Sequence, residues 1–142
     1  MPENLVNVLI HFVWATWDRL PLIQPDVERD IHRSIVAICE EHGCPVIAIG
    51  GMPDHVHLLV SVSNTMTMAK LMELAKGGSS RYITNMLHSV EWFQWQGSYG
   101  AFSVSPHEKQ KIIAYVNNQK QHHADGSLWP NAERSDKNDH KP

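Results

Sequence analysis

An α+β fold is predicted for this chain: an antiparallel sheet carrying two helices on one face, with one further helix after the last strand. Three observations predict it. Short runs rich in β-branched and aromatic residues alternate with two longer stretches of helical apolar spacing, a Pro-Asp turn joins two of the short runs directly, and a marked helix start follows the last of them. Hydrophobic residues make up 42% of the 142 positions and charged residues 19%, values of an ordinary globular domain able to bury its own core.

Leu5 to Trp14 reads as the first strand, closed by the turn residues Asp18-Arg19-Leu20-Pro21. From Asp26 to Glu41, Val27, Ile31, Ile35 and Ile38 recur at helical spacing, and Gly43 stands just past the end. Val46 to Gly51 and His55 to Val62 are apolar runs around Met52-Pro53-Asp54, a hairpin whose turn is supplied by Pro and Asp. Thr67 to Leu87 reads as the second helix. Its central Gly77-Gly78 weakens a helix, and either close approach of a backbone or ligand or a simple packing notch accounts for the pair. Trp92 to Trp95 and Tyr99 to Val104 read as strands around Gln96-Gly97-Ser98. Pro106 to His123 is the last helix, with Ser105 as N-cap and Glu108 completing a capping box. The order is the ferredoxin-like arrangement with an added C-terminal helix. Residues 1–124 form the expected single domain, and residues 125–142, polar and without periodicity, a flexible tail.

The formal charge of −3 offers no global basic field for nucleic acid, so any such binding has to come from a local face. Cys39 and Cys44 match neither a metal pair nor a disulfide framework and read as reduced thiols. No basic leader precedes an apolar run at the start, and no apolar stretch reaches the roughly 20 residues of a membrane span. The expectation is a soluble, cytoplasmic protein without membrane partners or a small-molecule cofactor.

Chemistry concentrates in two places. Asp54-His55-Val56-His57 sets two imidazoles on one strand face, where they can share a metal ion; a solvated strand face fits the spacing equally well. On the last helix Tyr115 and Gln119 are one turn apart, with Lys111, His122 and His123 on the same side, a pattern that a solvated helix face also explains. Joined, the two patterns make chemical sense. Two histidines leave an ion short of ligands, the Gln119 carbonyl can supply a third, and such an ion polarises a phosphodiester. A tyrosine nucleophile would then conserve the energy of the broken bond as phosphotyrosine, which allows rejoining.

With those residues in place, the chain resembles the insertion-sequence transposases of the 200/605 class. These are the single-tyrosine His-hydrophobic-His (HUH) endonucleases, with domesticated relatives associated with repeated extragenic palindromes. The resemblance runs over most of Val6 to His123 and rests on five segments. These are residues 11–16, Met52 to Val60, Leu74 to Arg81 (with Lys76-Gly77-Gly78-Ser79-Ser80), Trp95 to Ser105, and Tyr115-Val116-Asn117-Asn118-Gln119. It implies His55, His57 and Gln119 as ligands of Mg2+ or Mn2+ and Tyr115 as the nucleophile. The implied activity is cleavage and rejoining of single-stranded DNA, hairpin ends included, through a 5′ phosphotyrosine. It also implies a homodimer in which the tyrosine helix can complete the partner's site. Lys76, Arg81 and Lys120 are candidate phosphate contacts, and Asp54 a candidate for orienting a ligating histidine. Trp92, Phe93, Trp95 and Tyr99 fit core packing better than base stacking, and Tyr82 and Tyr99 are weaker nucleophile candidates because no ligand-type residue follows one turn later. A non-catalytic nucleic-acid-binding domain of the same fold is the alternative, and a metal hydrolase of this fold a third.

Overall fold

The structure is a computed structural model and describes residues 4–136. Four strands, β1 (Leu9–Ala15), β2 (Val46–Met52), β3 (His55–Ser61) and β4 (Gly100–Val104), form one sheet in the order β2-β3-β1-β4. All three pairings are antiparallel, with Val13 opposite His57 and Ala15 opposite His55. The helices are α1 (Pro25–Glu41), α2 (Met68–Met86), α3 (Lys109–Asn117) and α4 (Gln119–Asp125). This is the expected α+β architecture.

Alternation along the central strands sorts the side chains into two layers. Phe12, Trp14, Val56, Leu58 and Val60 face α1 and α2, meeting the buried stripes Val27, Ile31, Ile35 and Leu71, Ala75, Ile83. The opposite face carries Leu9, Ala48, Leu59 and Val104, on which Val116 of α3 packs. The histidines of β3 therefore share a face with α3 and α4. Gly78 marks the close approach of α1: a Cβ there would lie 2.6 Å from Ile38 Cδ1, so the glycine is a packing notch for that side chain.

Three expectations need correction. The first strand starts at Leu9, where its pairing with β3 and β4 begins, rather than at Leu5, which is fully exposed. Trp92 to Trp95 contributes one bridge, Thr16 to Trp95, because β1 turns away at Asp18 and Arg19 and leaves nothing to pair with. Phe93 and Trp95 serve the core, whereas Trp92 is half exposed; Trp95 stands edge-on to Trp14 and donates its indole N–H to Ser79 Oγ at 3.0 Å. The last helix begins at Lys109 and is broken at Asn118. Residues 106–108 form a turn, with Glu108 rather than Ser105 at the cap position; its carboxylate accepts the Ser105 backbone N–H at 3.5 Å, half of the expected capping box, and the Ser105 hydroxyl at 3.1 Å. Residues 137–142 of the expected tail lie outside the described residues.

Candidate active site

Period two in β3 turns His55 and His57 to the α3 face, where both are buried. Each ring has one nitrogen engaged from behind. His55 Nδ1 donates to Asp54 Oδ1 at 2.7 Å, and His57 Nδ1 shares a hydrogen bond of 2.9 Å with Nε2 of the buried His11 on β1. Anchored this way, both rings present Nε2 to the same space. A carboxylate from the segment after α4 fills it. Glu133 places Oε1 3.2 Å from His55 Nε2 and Oε2 3.2 Å from His57 Nε2, and the ligand atoms of the three residues lie within 4.8 Å of one another.

α3 and α4 deliver Tyr115 and Gln119 to this space. Gln119 donates its amide N–H to the Tyr115 carbonyl at 3.1 Å, which aims Oε1 at His55 Nε2, 3.4 Å away, and at His123 Nε2, 3.1 Å away. The Tyr115 phenol donates to Glu133 and accepts the Trp129 backbone N–H at 3.1 Å. Its ring lies flat on Trp129, 4.1 Å between centroids and 14° between planes, and edge-on to His57 at 5.8 Å. Tyr115 is consequently 1% exposed.

The electrostatics suit a cation. Burial alone would lower the pKa of His55, but the carboxylates of Asp54 and Glu133 outweigh it and raise it to about 9. His57 is lowered to about 4 by burial, against the pull of Glu133, and His11 to about 3 by burial and the neighbouring His57. Burial would raise Glu133, yet its bonds to His55 and His57 hold it below the usual carboxylate range. Burial, reinforced by the bond to Glu133, pushes the Tyr115 phenol up. The donor set of two imidazole nitrogens, a carboxylate and an amide oxygen fits a divalent ion of intermediate hardness. His57 Nε2 in particular is fully buried and faces a carboxylate oxygen of Glu133 at 3.2 Å, the setting of a ligand atom.

The remaining sequence candidates lie elsewhere. Lys76 is half-buried and donates to the carbonyls of Gln96 at 2.6 Å and Ser98 at 3.2 Å, holding that loop, while Arg81 is exposed on α2. Lys120 bonds the Gly51 carbonyl at 3.1 Å and Glu28 at 2.5 Å, tying α4 to β2 and α1. Tyr99 stands edge-on to Phe12, and Tyr82 packs against the core. Sequence reasoning missed Glu133 and Trp129, which fell in the segment expected as a tail; the available signal was one aromatic followed by proline in a polar stretch. It also left His11 without a partner, although β1 and β3 alternate in step.

An antiparallel sheet with two histidines on one face and a tyrosine helix packed over them places the chain among folds already known for DNA transposition. Two solved structures show this. A candidate transposase from Deinococcus radiodurans R1 matches with a TM-score of 0.65 at 25% identity, covering 84% of this chain and 98% of the other. A REP-associated tyrosine transposase bound to a REP hairpin matches in fold, with a TM-score of 0.64 at 11% identity over 98% of this chain and 94% of that one. The chain belongs to the IS200-like transposase family, whose model matches residues 4–119. Among curated proteins it is similar to the ISDra2 transposase TnpA of Deinococcus radiodurans, 29% identical over 117 residues, 77% of this chain and 81% of the relative.

Proposed function

We propose that this transposase cleaves and rejoins single-stranded DNA through a 5′ phosphotyrosine on Tyr115, with a divalent metal, Mg2+ or Mn2+, held by His55, His57 and Gln119. One observation carries the proposal: a tyrosine and a glutamine from one helical segment meet two inward-facing imidazoles from a distant strand, each braced from behind. When bound, the ion would neutralise charge on the phosphate oxygens. Glu133 touches both Nε2 atoms and the phenol, the contacts a scissile phosphate would make, and acts as an exchangeable donor that yields to it.

The chain's own groups do the rest. Tyr115 oxygen forms the bond to phosphorus as the bond to the 3′ oxygen breaks; the phenol loses its proton and the departing 3′ oxygen gains one. Rejoining is the reverse, with a 3′ hydroxyl attacking the phosphotyrosine. Asp54 and His11 keep the ligating rings in their tautomers. The exposed Arg81 is a cation free to meet the DNA backbone, whereas Lys76 is engaged by its loop and Lys120, which braces α4, would have to exchange Glu28 for a phosphate.

The decisive experiment incubates the protein with a labelled single-stranded oligonucleotide and Mn2+ and looks for a covalent adduct on a denaturing gel. Tyr115→Phe should abolish the adduct and keep DNA binding; an adduct in the Phe variant would refute the assignment of Tyr115. Intact DNA in every metal, with tight hairpin binding, would favour a binding domain that retains the fold. A homodimer in the cytoplasm remains part of the proposal. Light scattering tests the dimer, and the site's assembly within one chain means that a monomer would still hold every group named.

A further inference from the structure

We propose that Trp17 is the platform on which an unpaired base flanking the scissile phosphate stacks, an inference that rests on the strand-transfer proposal above. Ala15, opposite His55, ends β1 on the site face. Thr16 is still extended, with φ −69° and ψ 162°, and buried, and Trp17 opens the short 3-10 turn Trp17–Arg19 two residues beyond Ala15, at the end of the strand that borders the site. There the indole is 44% exposed, whereas Trp14 of the same strand and Trp95 are buried. An exposed aromatic ring beside a phosphate-handling site suits single-stranded DNA, because every base offers a π-face to stack on.

The backbone around Trp17 is held in a costly shape. Asp18 and Arg19 are both left-handed, at φ 52° and 51°, a conformation that non-glycine residues adopt only when their surroundings force it. Here several bonds force it. Trp17 N–H donates to the Gln94 carbonyl at 2.9 Å, Asp18 N–H to Gln96 Oε1 at 3.1 Å, and Thr16 Oγ1 to the Leu20 carbonyl at 2.6 Å. Thr16 N–H reaches the Asp54 carbonyl at 2.9 Å, and Arg19 lies 3.7 Å from the Asp54 carboxylate that orients His55. One residue, Asp54, thus fixes both the histidine and the turn carrying the indole. The indole is preorganised relative to the reacting phosphate, which is what a base-positioning residue requires.

The test measures binding of single-stranded oligonucleotides to Tyr115→Phe protein with Mn2+ at fixed salt, with and without Trp17→Ala or Trp17→Phe. Trp17→Ala should weaken binding about tenfold, and Trp17→Phe should retain most of it. A series with one abasic position walked along the strand locates the contact: at the stacked base, the Trp17→Ala variant and its parent should bind equally. Equal affinity of Trp17→Ala and parent on every oligonucleotide would overturn the proposal. So would a loss of the same size at every abasic position, since that marks a general surface or folding effect. Because binding is read without the nucleophile, absence of an adduct in the unmodified protein would count against strand transfer alone.

Discussion

At Gln119 a single intrahelical bond decides what the side chain offers. With its N–H committed to the Tyr115 carbonyl at 3.1 Å, only the oxygen faces His55. Gln119→Leu should therefore lower manganese affinity about tenfold in calorimetry without unfolding the chain, and unchanged affinity would remove Gln119 from the ligand set. Trp129 governs its neighbour differently, by covering the phenol face of Tyr115. In Trp129→Ala, Tyr115 should become several-fold more reactive to nitration, while Tyr82 and Tyr99 keep their rates; peptide mapping by mass spectrometry reads all three. If Tyr115 stays as inert as in the parent, the stack is not what shields it.

Among the elements, α3 depends most on a single small residue beneath it. A Cβ on Gly50 of β2 would sit 2.0 Å from the Val116 carbonyl oxygen, a backbone atom that can move only if the helix moves. Gly50→Ala should cost about 1–3 kcal/mol in denaturant unfolding. It should depress adduct formation more than that loss implies, because Tyr115 precedes Val116 and a shift of about 1 Å misplaces the phenol. A variant that loses stability but keeps full adduct yield would show that helix placement is less demanding. The break at Asn118, with φ −112° and ψ 31°, separates Tyr115 on α3 from Gln119 on α4. Lys120 then clamps the second segment through Gly51 and Glu28.

At the scale of the whole molecule, residues 129–133 close the site. Glu133 is 7% exposed and bridges the phenol and both histidines, so under the proposed reaction a phosphodiester would reach Tyr115 only when this segment lifts. If the pocket takes a cation in the folded state alone, Mn2+ should raise the melting temperature, and His57→Ala should lose most of that increment in a thermal scan. An equal increment in both proteins would place the ion elsewhere. Among the described residues no helix is long and apolar enough to cross a membrane.

What could be read without coordinates was local. Period two put His55 and His57 on one face, helical spacing paired Tyr115 with Gln119 and set the stripes of α1 and α2, and turn chemistry placed the hairpin. These patterns need only the geometry of their own element. Tertiary structure decided the rest: that His11 braces His57 across two strands, that Lys76 and Lys120 hold loop and helix, and that Glu133 and Trp129 fold back over the site. Those contacts join residues up to 92 positions apart, as from Glu28 to Lys120, and no periodicity spans such a gap. The compensation of buried charge that binds them exists only once the chain has brought them together.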